Sequence, residues 1–358
     1  MSPDLSPIRH LWDELGRRIR NSQNPQETLA QLQTSGMMLL IVVSLIVVWL
    51  TYRWFRNTQN IDNFNNRYIL ITGCDSGFGN MLSKRLDELG FNVFAGCLTQ
   101  SGIEQLKRET THKVKGIQID VSKTESIQKA FGAVKSFLPS NTGLWGVVNN
   151  AGIAGAIGPV QWLTREDYRS TFEINTLGIV ETTRIFLPLV LKEKGRIVNI
   201  TSMMGRIAAA NSTYVVSKFA AEGYSDILRR ELYKRGVTVH ILEPGFFRTN
   251  IMDIETTCKS VDGTFRKTSS EMQKYYGESY LNTLKDEIKN FLSRIGSPKT
   301  NLVVDAYVHA LTAKYPKYRY IVGNDAKYTF RLLWNLPEWA SDYILTIKAV
   351  KPQAEQNM

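Results

Sequence analysis

The chain has 358 residues, 43% hydrophobic and 22% charged, with 25 Gly and 11 Pro; this composition excludes collagen-like, low-complexity and wholly disordered classes, and the length allows a substantial core. Three scattered cysteines (Cys74, Cys97, Cys258) and four single histidines (His10, His112, His240, His309) supply neither a disulfide framework nor metal-site spacing, so no metal is expected. The net charge of +11 is spread without a dense basic run or interleaved aromatics, which argues against a nucleic-acid partner.

Residues 1–36 read as a polar N-terminal leader. Within it Ile8, Leu11, Trp12, Leu15 and Ile19 recur at helical spacing, as in an amphipathic helix on a bilayer or a short soluble helix. Residues 37–55 form a predicted transmembrane anchor: Met37 to Tyr52 carries no charge, and about twenty residues span a hydrocarbon core. Trp49, Tyr52 and Trp54 fall where an aromatic belt would sit, and Arg53 and Arg56 where headgroups would. Three arginines on each flank (Arg17, Arg18, Arg20; Arg53, Arg56, Arg67) leave the orientation open. A linker over 56–66 follows.

From Arg67 short apolar runs alternate with helical patterns: 68–72, 91–96, 116–120, 144–149, 196–201, 237–242 and 318–322. Continuous Val/Ile runs suit strands covered on both faces, so the expected fold is α/β, a Rossmann-type doubly wound parallel sheet with helices on both faces. The dinucleotide-binding catalytic domain is placed at 67–325, with a movable substrate-covering segment at 250–300 hinged near Phe246, Phe247, Ile251 and Met252. A C-terminal segment, 326–358, includes LLWNLPEWASDYILTI, too broken by Pro337, Glu338 and Asp342 to span a bilayer but suited to resting on one.

Two constellations carry chemistry. The first strand runs into TGCDSGFG, with Gly73, Gly77 and Gly79 before a helix, where the backbone can approach a pyrophosphate and helix N–H groups can bind it. Tyr214 and Lys218 stand four residues apart, hence on one helix face, and an adjacent ammonium favours a phenolate. Ser202 follows a strand, where its hydroxyl could bond a substrate oxygen, and Asn175 could hold a water linking Lys218 to solvent.

These motifs, with Asp120-Val121, NNAG (Asn149 to Gly152) and PGFFRT (Pro244 to Thr249), resemble the short-chain dehydrogenase/reductase superfamily over roughly Arg67 to Val322. The resemblance implies Tyr214 as acid/base, Lys218 lowering its pKa and holding ribose hydroxyls, Ser202 polarising the substrate oxygen, and Asn175 completing the proton relay. It implies cofactor contacts from Gly73, Asp75, Ser76, Gly77, Phe78, Gly79, Asp120 (to adenine), Val121, Asn149, Ala151, Gly152, Tyr214, Lys218, Pro244, Gly245 and Thr249 (to the carboxamide). The strings GCDSGFGN, FAGCLT, LWGVVNNAGI, FLPLV, MMGR, YSDILRREL, EPGFFRTN and NDAK look like the membrane-bound retinol and hydroxysteroid dehydrogenase branch.

That branch implies a lipophilic alcohol or carbonyl substrate, a single-pass endoplasmic-reticulum membrane protein, and the homodimers common in the superfamily. AGCL is also similar to mitochondrial 3-hydroxybutyrate dehydrogenases, so that substrate is the alternative. A membrane or lipid-droplet scaffold with inherited reductase residues is the alternative of another class. The second strand ends in GCLTQ without the acid or base that commonly selects the cofactor. Asp75, in the glycine turn, would repel a 2′-phosphate, so NAD is expected over NADP.

Overall fold

The structure, a computed structural model, describes residues 13, 14, 17, 25–210, 212–347 and 350–355. The amphipathic pattern at Ile8, Leu11, Trp12, Leu15 and Ile19 lies outside the described residues. The chain divides into two units, 1–59 and 60–358.

The first unit is dominated by one helix, α1 (Pro25–Thr58), longer at both ends than the apolar run. Its apolar part, Thr34–Thr58, has a mean hydropathy of 2.2, and 25 residues at 1.5 Å rise reach about 37 Å, enough for a hydrocarbon core of about 30 Å. Leu39, Val47 and Trp49 are exposed, the pattern of a helix apolar all round. Near its end, the Arg53 and Arg56 guanidinium groups lie 5.1 and 5.6 Å from the Trp49 and Tyr52 ring centroids. A second stretch, Arg165–Lys192, is also long and apolar enough to cross a membrane. Its Phe186 and Val190, however, are committed to the core of the second unit.

The second unit is built on seven parallel strands: β1 (Tyr68–Thr72), β2 (Asn92–Cys97), β3 (Val114–Gln118), β4 (Gly146–Asn149), β5 (Arg196–Ile200), β6 (Thr238–Pro244) and β7 (Arg319–Val322). They lie in the order β3-β2-β1-β4-β5-β6-β7. Alternate residues of each strand feed opposite faces. Ile69, Ile71, Val148 and Val198 pack under α2 (Gly77–Glu88), and Leu70, Val147 and Ile197 under α4 (Thr124–Phe137), with α3 (Gln100–Glu109) between them in sequence. Both faces are therefore covered, which is why the strands read as unbroken apolar runs. The helices α5 (Arg165–Phe172), α6 (Gly178–Lys192) and α7 (Thr213–Leu232) complete the crossovers between β4 and β6.

The expected covering segment forms two helices, α8 (Ile254–Arg266) and α9 (Ser270–Ile295), the latter kinked where Gly277 has φ 78°. They possess a core of their own, in which Val261, Phe265, Tyr276 and Tyr280 surround Trp162. The helix α10 (Asn301–Thr312) returns to the sheet, and α11 (Arg331–Leu333) and α12 (Glu338–Thr346) follow β7.

Strand order reverses at β1 and β4, and a crevice opens there because successive crossovers leave in opposite directions. A polar latch holds its floor. Thr72 Oγ1 accepts from the N–H groups of Asn150 (3.0 Å) and Ala151 (3.1 Å). Asn150 Nδ2 donates to the carbonyls of Thr72 (2.9 Å) and Gly73 (3.0 Å), and its Oδ1 accepts from the Tyr307 hydroxyl (3.0 Å). Replacing Asn150 by Ala strips these groups of their partner, and we expect a loss of about 2 kcal/mol, measured by chemical denaturation in detergent; an unchanged midpoint would show the latch to be idle.

Candidate active site

A cavity of about 1480 Å³ opens at the carboxyl ends of the strands, larger than the roughly 300–1,000 Å³ of most small-molecule sites. All the site residues expected from sequence line it except Gly79, Asn149 and Asn175.

The glycine turn is shaped for a close backbone approach. Gly73 has φ 72°, and a Cβ there would stand 2.7 Å from the Cα of Ala151. Gly77 opens α2 at φ 62°, and Ser76 at the N-cap makes no side-chain capping bond. The first N–H groups of a 12-residue helix are thus left without a side-chain cap at the cavity wall, a ready phosphate site. These features fit a dinucleotide. Gly79 serves another purpose: a Cβ there would collide with the Gly73 carbonyl and with Asn150, so it lets α2 seat on the turn.

Asp75 leaves the turn toward the end of β2, where its carboxylate accepts from Leu98 N–H (2.8 Å), Thr99 N–H (2.9 Å) and Thr99 Oγ1 (2.6 Å). Asp120, beyond β3, is held by Ser122 and by Lys123 at 3.2 Å, which keep its carboxyl below the usual range although burial opposes them. Both place negative charge at one end of the cavity.

At the other end β5 delivers Ser202, whose hydroxyl caps a short turn (Met203–Gly205) by accepting from Met204 N–H at 3.1 Å. Ser212 caps α7 and sets Tyr214 in its first turn. One turn later Lys218 donates to the Ile200 carbonyl at 3.1 Å, with its Nζ 5.4 Å from the Tyr214 ring centroid. The spatial grouping expected from sequence is present, but one expectation needs correction. Burial pushes the Tyr214 phenol up to about 12, and the lowering influence is its hydrogen bond with Ser202, not Lys218. Burial also brings Lys218 down to about 8. Desolvation is the largest influence on both groups.

Asn175 and Asn149 also depart from expectation. Asn175 lies in a π-turn (Glu173–Leu177), a form of local overwinding frequent near functional sites. Its Nδ2 donates to the Ile153 carbonyl (2.9 Å) and Ser217 Oγ (3.0 Å), and its Oδ1 accepts from Ile153 N–H (2.9 Å). The side chain therefore clamps the loop after β4 and does not line the cavity. Asn149 points into the core, donating to Thr183 (3.0 Å) and Asn199 (2.8 Å). As the last residue of β4 its side chain follows the strand's alternation into a sheet face, whereas Asn150 lies just past the strand. Asn150 was missed from sequence although it stands in the same NNAG string. Asp325 was missed too: it accepts from Phe246 N–H at 2.7 Å and fixes the loop after β6, and NDAK carried that signal.

The remaining wall is largely apolar. Leu284, Ile288 and Phe291 of α9 line it, with Leu333 of α11 and Ile344 and Leu345 of α12, while Glu287, Asn290 and Arg294 of α9 add polar groups. Phe246 packs edge-on against Phe291 (5.1 Å between centroids) and at a tilt against Phe330 (5.9 Å). All four residues assigned to a hinge border the cavity, and Phe247, 2% exposed, is at the same time part of the core. The C-terminal segment thus turns one side to the cavity and leaves Trp339 and Tyr343 exposed.

Comparisons with known proteins agree with this geometry. The model of a family described as short chain dehydrogenase matches residues 67–258. The chain is 42% identical over 315 residues to 17-beta-hydroxysteroid dehydrogenase type 6 of Bos taurus, covering 88% of this chain and 99% of that protein. It is 40% identical over 316 residues to retinol dehydrogenase 16 of Mus musculus, with the same coverage. A short-chain dehydrogenase structure from Streptomyces avermitilis shares the fold at a TM-score of 0.61 and 23% identity, covering 79% of this chain and 96% of that one. A phosphate-ready glycine turn, with serine, tyrosine and lysine gathered across one crevice, therefore comes with a sequence that belongs to the short-chain dehydrogenase family, in the branch of the retinol and 17-beta-hydroxysteroid dehydrogenases.

Proposed function

We propose that the protein is a membrane-anchored oxidoreductase that interconverts a lipophilic alcohol, a retinol or a hydroxysteroid, and its carbonyl, with NAD as cofactor. The observation that carries this reading is that Ser202, Tyr214, Lys218 and the glycine turn open into one cavity whose opposite wall is largely apolar. The relatives' names point to the same substrate classes. A wall of Leu284, Ile288, Phe291 and Ile344 favours a lipophilic body over a short hydroxy acid such as 3-hydroxybutyrate.

In this reading Gly73, Ser76, Gly77 and the start of α2 hold the pyrophosphate, Asp120 and Val121 border the adenine, and Gly152 and Pro244 to Thr249 border the nicotinamide. When bound, the oxidised nicotinamide supplies the hydride acceptor and a positive charge beside the phenol. Ser202 bonds the substrate oxygen, and Tyr214 takes the hydroxyl proton in oxidation or returns it in reduction. A phenol at about 12 is neutral at physiological pH, the form that donates to a carbonyl; oxidation needs the phenolate, which nearby positive charge favours. Asn175 acts through the loop it clamps, and Lys218 holds ribose hydroxyls. Asp75 repels a 2′-phosphate while its existing bonds keep it at the end of β2.

Three outcomes are expected. Tyr214→Phe lowers formation of retinal or ketosteroid by about 100-fold to 10,000-fold while cofactor binding, followed by fluorescence, persists; undiminished turnover would remove Tyr214 from the proton transfer, and unchanged cellular function in an inactive variant would favour the scaffold. The wild type prefers NAD to NADP in kcat/KM, and Asp75→Asn narrows that preference about tenfold; a native preference for NADP would defeat the cofactor assignment. Arg at both Ile46 and Val47 costs about 2.5–3.5 kcal/mol per residue at mid-bilayer and moves the protein into the carbonate-soluble fraction, whereas retention in the pellet would place the anchor elsewhere.

A further inference from the structure

Lys218 is 2% exposed, and its Nζ donates to a neutral backbone carbonyl, that of Ile200. A buried ammonium without opposite charge nearby loses its proton readily. One turn further along α7, Glu222 is 6% exposed. Gly205, in the turn that follows Ser202, seats directly on this stretch: a Cβ there would stand 2.8 Å from the Lys218 carbonyl and 2.9 Å from Glu222 Cγ. Glu222 is therefore beneath the turn carrying Ser202 and on the helix carrying Lys218.

Its carboxylate is tied to the sheet. Arg319 of β7 forms ion pairs with Glu222 and with Glu243 of β6, and its second nitrogen reaches Asp226 of α7 at 2.8 Å. Glu243 immediately precedes the Pro244-Gly245 wall of the cavity, and it is 1% exposed. The other charges facing the cluster are Arg206, 3.9 Å from Glu243, and Arg229, 3.4 Å from Asp226. Arg319 thus ties α7, which carries Lys218, and β6, which leads to the Pro244 wall, to β7 through two buried carboxylates.

We propose, on the reading of Lys218 given above, that Glu222 is a positioning residue for Lys218: held in place by Arg319, its carboxylate is the counter-charge that keeps the Lys218 ammonium protonated at the cavity floor. Glu222 is the charged group whose field raises Lys218 against the larger effect of burial. Burial and the neighbouring Glu243 push Glu222 itself up from the usual carboxylate range, and Arg319 opposes them. A cluster that merely braced the fold would do so equally well with the ammonium elsewhere; here it is joined to the lysine helix, the serine turn and the wall after β6.

The test uses the full chain in detergent, and its labelling arm needs neither substrate nor cofactor. The acetylation rate of Lys218 is followed against pH by peptide mass spectrometry, its midpoint marking loss of the ammonium proton. Removing a neighbouring negative charge lowers that midpoint, so Glu222→Gln shifts it down by about one pH unit. Glu222→Asp, whose carboxylate is withdrawn by one methylene, gives a smaller downward shift and serves alone if the Gln variant does not fold. The alkaline limb of kcat/KM moves down in step with the midpoint. Midpoints equal to wild type in every folded variant would overturn the proposal, whatever happens to thermal stability. Because labelling requires no turnover, a failure to oxidise retinols or steroids would count against the substrate assignment and leave this test intact.

Discussion

The site depends on the latch where the strand order turns back. Thr72 and Asn150 exchange bonds across the ends of β1 and β4, so the two strands that border the crevice cannot separate without leaving backbone groups unpaired. Everything that would touch a dinucleotide is suspended from those strands or their neighbours. Gly73 continues β1 at a left-handed φ that spares Ala151 from collision, and β5 and β6 deliver Ser202 and Pro244 at the same edge. A parallel sheet aligns all its carboxyl ends on one side; the latch fixes the gap in the middle of that row.

Desolvation is the second theme. The same burial that gives the cavity its affinity for apolar molecules raises Tyr214 and lowers Lys218, moving both toward their neutral forms. Burial alone does not make a reactive group. Cys74 is also fully buried and its thiol is pushed well up, and His240, held by Thr238 and Lys317, is brought down to about 3. Neither lines the cavity. What distinguishes Tyr214 and Lys218 is a shared opening and opposite shifts, which set a neutral phenol beside a lysine brought close enough to neutrality to exchange its proton.

Much of this was legible in the sequence because it rests on local pattern. Tyr68–Thr72 is the strand that YILIT announces, and all seven apolar runs became strands, since two-sided burial permits unbroken Val and Ile. Tyr214 and Lys218 face one way because four residues are about one helical turn. What failed was orientation past a strand end and the balance of opposing electrostatic effects. Asn149 and Asn150 are adjacent and chemically identical, and only the register of β4 sends one into the core and the other into the latch. The direction of the Tyr214 shift could not be read from its neighbour, because burial is set by residues as distant as Phe330 and Ile344, which join it around the cavity. Glu222 carried no signal until Arg319, 97 positions away, was found beside it.

The family match ends at residue 258, yet the apolar wall is drawn from α9, α11 and α12, all later in the chain. Chemistry and selection are thus built by different stretches. Those later helices are anchored independently of the latch: Trp162, in the loop after β4, is enclosed by Phe265, Tyr276 and Tyr280, and Phe246 meets Phe291 across the cavity rim. The kink at Gly277 falls within the first attachment, between Tyr276 and Tyr280, and beyond it Leu284, Ile288 and Phe291 border the cavity. A change at Leu284 or Ile288 alters the shape available to an alcohol, whereas Ile295, at the end of the same helix, shares an apolar cluster with Tyr214. A fold that draws its proton-transfer residues and most of its apolar wall from different stretches can keep one chemistry while the wall changes.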